Sequence, residues 1–70
     1  MPTNQKYSAR IHSKRQLSSA GEHVRLASDA LVSVGSRYEE ALPQVSQACD
    51  KLNDMMVMAE SMISDVKDII

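Results

Sequence analysis

From Leu17 to Ile69 the sequence reads LSSAGEHVRLASDALVSVGSRYEEALPQVSQACDKLNDMMVMAESMISDVKDI, and a seven-residue repeat of apolar residues runs through all of it. With Leu17 at position a, the a positions are Leu17, Val24, Leu31, Tyr38, Val45, Leu52, Ala59 and Val66. The d positions are Ala20, Ala27, Val34, Ala41, Ala48, Met55, Met62 and Ile69. A repeat of this period keeps one stripe of an α-helix against neighbouring helices. The sequence therefore predicts an all-α protein, built on a long amphipathic helix that packs in a coiled coil or helical bundle.

Two residues, Gly35 and Pro43, interrupt the helical pattern. Gly35 can end a helix, and Pro43 removes a backbone donor and clashes with the preceding turn. The preferred prediction is one helix that is bent near Pro43, because the a/d frame is unbroken and Pro43 occupies the outermost position, f. The alternative is an antiparallel hairpin of two helices that turns between Gly35 and Pro43.

The positions beside the stripe differ between the two halves of the chain. In the first half, the e positions Gly21, Ser28 and Gly35 are small, which favours close approach of another helix. In the second half the e positions are apolar, so the stripe is wide enough to be covered by more than one helix. The predicted interface consists of Leu17, Ala20, Val24, Ala27, Leu31, Val34, Tyr38, Ala41, Leu42, Val45, Ala48, Cys49, Leu52, Met55, Met56, Ala59, Met62, Ile63, Val66 and Ile69.

Charge divides the chain into a basic N-terminal arm, residues 1–15, and a heptad-repeat helical region, residues 16–70. The arm carries four cations and no acid, the rest four cations and nine acids, so that +4 and −5 give the net charge of −1. The basic residues of the arm are Lys6, Arg10, Lys14 and Arg15. We expect the arm to be extended or partly helical, and either a solvated tail or a segment that lies on an acidic protein surface or on phosphate. Ser19 and Glu22 have the spacing of a capping box, which predicts a helix start there, although the good helix formers at 14–17 also allow an earlier start.

Several kinds of chemistry lack a pattern in this sequence. His12 and His23 are not at metal-ligand spacing with other ligands, and Cys49 has few basic neighbours, which favours an inert buried thiol. We expect no cofactor, no metal and no enzymatic activity, since nucleophiles and carboxylates do not converge. We do not expect nucleic acid as a partner, because the basic arm is short and the rest is acidic. No apolar run reaches the roughly 20 residues of a transmembrane helix.

The sequence thus predicts a structural or adaptor subunit of a larger complex, assembled through coiled-coil or helical-bundle packing with other helical proteins or copies of itself. One alternative is a secreted or self-assembling helical-hairpin protomer. Another is a small nucleic-acid-associated regulatory coiled coil that uses the basic arm. The expected location is cytoplasmic or otherwise intracellular, with secretion left open, because the N-terminus lacks an apolar signal segment.

Overall fold

The protein is a hairpin of two α-helices. A computed structural model describes the backbone of residues 2–70 and the side chains of residues 8–70. Helix α1 spans Pro2–Arg37 and helix α2 spans Pro43–Ile69, and the two pack against each other. They form a rod of 61 × 15 × 10 Å. The all-α prediction is confirmed, and so is the interruption between Gly35 and Pro43.

The turn is built by Leu42 and Pro43 rather than by a glycine. Leu42 is the N-cap of α2 with φ −140° and ψ 79°, outside the helical region, as expected of a residue that precedes proline. Pro43 opens α2, where its missing N–H is one that a helix start leaves unpaired in any case. The Leu42 amide donates to the Tyr38 carbonyl over 2.9 Å, which closes the turn. Proline therefore starts the second helix instead of bending a continuous one.

The hairpin, the alternative arrangement, replaces the preferred single bent helix. The unbroken a/d frame favoured the wrong arrangement, because a repeat in the sequence records the spacing of residues and not the direction in which the chain runs. The loop between Arg37 and Pro43 happens to have a length that leaves the frame intact. An unbroken frame consequently does not distinguish a helix that continues from one that reverses.

Helix α1 also starts earlier than the capping-box spacing indicated. It begins at Pro2, so the backbone of the basic arm is helical rather than extended. Ser19 and Glu22 lie inside α1 and do not mark a helix start. The capping-box spacing was overridden because the residues before it are good helix formers and continue the helix without a break.

The two glycines of α1 set the distance and register between the helices. A Cβ atom placed on Gly35 would lie 3.3 Å from the Cβ of Cys49, and one on Gly21 would lie 3.8 Å from Cγ2 of Ile63. These two contacts are fourteen residues apart on each helix, in opposite directions, so the helices are antiparallel and in constant register. The predicted role of the small e positions in close packing is confirmed, and Gly35 does not end the helix.

Candidate interaction surface

The contact between the helices uses the a and e positions of α1. Leu17, Val24 and Leu31 are half-buried there, beside the two glycines. On α2 the contact is made by the e positions Cys49, Met56 and Ile63, which are buried or half-buried. The hydroxyl of Ser28 donates to the side-chain oxygen of Asn53, a part-buried hydrogen bond that ties the middle of the hairpin. The hairpin is thus held along one narrow seam.

This seam does not enclose a core. Among residues 8–70, only Gly35 and Cys49 are buried, and none of the large apolar side chains is fully buried. Two helices can shield only the strip of surface between them, so the rest of a wide apolar stripe stays in contact with water. The hairpin is a folded unit with unburied apolar surface.

Most of that surface lies on α2. Five large apolar residues at its a and d positions keep between 44% and 81% of their surface exposed. They are Leu52, Met55, Met62, Val66 and Ile69. With Ala59 between Met55 and Met62, successive spacings of three and four residues place them in one row along the helix. This row is called the α2 ridge below, and it is turned away from the seam because the e positions face α1.

On α1 the corresponding surface is small. Its d positions are Ala20, Ala27 and Val34, which are exposed or half-buried at the margin of the seam. Helical geometry in an antiparallel pair places the d positions of α1 on the same side of the hairpin as the a and d positions of α2. Because alanine side chains are short, this row of α1 stands lower than the long side chains of α2, and it is called the α1 groove. Ridge and groove together form the apolar face, and no charged residue belongs to it.

The opposite side of the hairpin carries most of the charged residues near the seam. Arg25 pairs with Glu22 across 2.8 Å, and both side chains are more than half exposed. A shallow groove there is lined in part by Glu60, Ser64 and Lys67. The exposed Asp50 and Asp54 of α2 also lie away from the apolar face. The charged residues therefore lie away from the apolar face, on a side of the rod that also carries the exposed Val57.

Most of the predicted interface residues fall into three groups, and Val45, Ala48 and Ala59 are further a and d residues of α2 that are half-buried or exposed. Some form the seam within the hairpin, and others form the apolar face. Tyr38, Ala41 and Leu42 lie in or next to the turn and are exposed. Sequence reasoning missed Ser46 and Asn53, polar residues of α2 that lie at the seam. The run of small e positions on α1 could have identified them. Small residues there let a neighbouring helix approach closely enough for its polar side chains to lie in the contact.

The basic arm is only partly described. Arg10 and Arg15 are exposed and Lys14 is half-buried, whereas the Lys6 side chain lies outside the described residues. Within the part of the chain that the structure describes, no cluster of three His, Cys, Asp or Glu side chains could hold a metal ion. Neither described helix combines the length and apolar character needed to cross a membrane.

Comparison with known proteins gives no relative. No family model, curated protein or solved structure matches this chain.

Proposed function

We propose that this chain is a non-enzymatic structural or adaptor subunit that assembles with other helices through its apolar face. The observation that carries the proposal is the α2 ridge, five large apolar side chains in one row and all well exposed. Single exposed apolar residues are common on protein surfaces. A contiguous row of them is instead typical of interaction sites.

The total exposed surface supports the same proposal. A compact monomer of 7.7 kDa is expected to expose on the order of 4,300 Å². The hairpin exposes 5574 Å², which is about 1,200 Å² more. A standard protein interface buries about 800 Å² on each partner, so the excess is sufficient to supply one. Packing with further helices would reduce the exposed surface area of the chain to that of an ordinary small domain.

Site-specific photo-crosslinking in the source cells tests this function. The full chain would carry a photoreactive amino acid either at Met62, in the α2 ridge, or at Val57. Val57 is a matched control because it lies on the same helix and is 55% exposed, against 60% for Met62, but it points away from the apolar face. Position 62 should give covalent protein adducts several times more abundant than position 57. Equal yields at the two positions, or no adduct at 62, would reject the proposed function.

A further inference from the structure

We propose, as a step that rests on the proposed function, that the occupant of the apolar face is the apolar face of a second copy of this chain. Two hairpins would then form a four-helix bundle with both turns at the same end. Shape, the heptad pattern and charge each bear on this assignment.

Shape favours a second copy because the face carries both a ridge and a matching groove. If two hairpins face each other with their turns at the same end, the two-fold axis is parallel to the helices. Each α2 ridge then lies over the partner's α1 groove, so that Met55 and Met62 meet the level of the partner's Ala27 and the partner's Ala20. Interlocking of large with small side chains is how helices pack closely. Turns at opposite ends would instead oppose ridge to ridge.

The heptad pattern is also accounted for by this bundle. Helix α2 has three apolar positions per repeat, which is more than its contact with α1 uses. Its e positions, among them Cys49 and Ile63, face α1 within the hairpin. Its a and d positions would face the partner, and the two sets together would line a four-helix core. The width of the stripe on α2 is what a helix with two neighbours requires.

Charge does not oppose the same-end arrangement. The two α1 helices occupy diagonal corners of such a bundle, about 14 Å apart for neighbouring axes about 10 Å apart. That separation exceeds the Debye length of about 8 Å at physiological salt, so repulsion between exposed cations such as Arg10 and Arg15 is largely screened. Turns at opposite ends would bring the arm near the partner's Glu39, but pairs of exposed charges contribute little. Packing of the desolvated face therefore decides the orientation.

Solution mass with a matched pair of variants tests the self-association. Val66→Asp places a charge in the α2 ridge, whereas Val57→Asp makes the same change nine residues away, about half a turn around the helix. Size-exclusion chromatography with light scattering should give twice 7.7 kDa for the native chain and for Val57→Asp, and 7.7 kDa for Val66→Asp. A native chain of 7.7 kDa across the micromolar range would overturn the inference, and so would dissociation caused equally by both variants.

Folding of the variants is controlled by circular dichroism. If Val66→Asp loses its helical spectrum, Met62→Gln replaces it, because that side chain is 60% exposed and has a milder polar substitute. Met62→Gln should raise the dissociation constant of the dimer at least tenfold while helicity is retained. An unchanged dissociation constant would contradict the assignment of the ridge as the interface.

Spin labels on the turn test the orientation. In a Cys49→Ala background, a single label at Glu40→Cys reports the distance between the two turns of a dimer. Turns at the same end should give a distance on the order of 20 Å, a few helix diameters at most. A distance close to the 61 Å length of the rod would show turns at opposite ends and overturn the ridge-in-groove packing.

Failure of this inference and failure of the proposed function have different signatures. Crosslinking at Met62 to a different protein, together with a monomeric purified chain, would reject the second copy and leave the adaptor function standing. Absence of any adduct at that position, with a monomeric chain, would reject both.

Discussion

Adding a methyl group should stabilise the hairpin at Gly21 but not at Gly35. Gly21→Ala and Gly35→Ala make the same change in the same helix, so the gain in helix propensity, about 1 kcal/mol, is common to both. At Gly21 the new Cβ meets Cγ2 of Ile63 at 3.8 Å, an ordinary van der Waals contact. We therefore expect Gly21→Ala to increase the free energy of unfolding by about 0.5–1 kcal/mol.

At Gly35 the new Cβ would lie 3.3 Å from the Cβ of Cys49, shorter than the optimal carbon–carbon separation of about 3.5–4.0 Å. The Cys49 Cβ is fixed to the α2 backbone, so relief requires a shift of the helix and not a rotation of a side chain. Overpacking of this kind costs about 1–3 kcal/mol, which offsets the propensity gain. Gly35→Ala should leave stability unchanged or lower it by up to about 2 kcal/mol.

Urea unfolding followed by circular dichroism at one protein concentration measures both variants. The decisive quantity is the difference between them, about 1–3 kcal/mol in favour of Gly21→Ala. Cys49→Ala in the Gly35→Ala background serves as a control: it keeps the Cβ and should not restore stability. Equal stabilisation by both alanines would mean that the helices do not approach closely at Gly35, and the described register would be wrong.

Two further predictions concern the seam. Removal of the hydrogen bond between Ser28 and Asn53 should lower the free energy of unfolding by about 1 kcal/mol. A double-mutant cycle of Ser28→Ala with Asn53→Ala, measured by urea unfolding, should give a coupling energy of about 0.5–1.5 kcal/mol. Purely additive losses would count against the bond. The Cys49 thiol, 7% exposed, should react with a thiol reagent only as fast as the hairpin opens, whereas a label-accessible cysteine placed at Val57 in the Cys49→Ala background should react at once. Rapid labelling of native Cys49 would show that the seam is open.

Sequence reasoning recovered the helical class because a seven-residue apolar repeat has few other structural uses. The place of the interruption followed from Gly35 and Pro43 and was also predictable. The reversal of the chain was not, since Pro43 is compatible with a bend and with a helix start alike. What decides between these is the conformation of Leu42, which depends on whether α2 gains more by packing on α1 than by extending away from it.

The candidate interaction surface was predictable in composition but not in orientation. Heptad notation treats a and d as the contact positions, yet the hairpin seam uses the e positions of both helices, where Gly21 and Gly35 admit Ile63 and Cys49. Small residues bring helix axes closer, and the closest approach fixes which faces meet. The longer a and d residues of α2 are consequently turned outward by the same contact.

That outward rotation links the two halves of the sequence pattern. A hairpin packed through the a and d positions of both helices would cover its own stripe and leave the apolar e positions of α2 exposed. Packing through the glycines instead covers Cys49 and Ile63 and leaves exposed the uncharged α2 ridge, which includes Met55 and Met62. Replacement of Gly21 and Gly35 by large residues would prevent the close helix contact that turns the a and d positions of α2 outward. The glycines of α1 therefore determine both how the hairpin closes and which surface it presents for assembly.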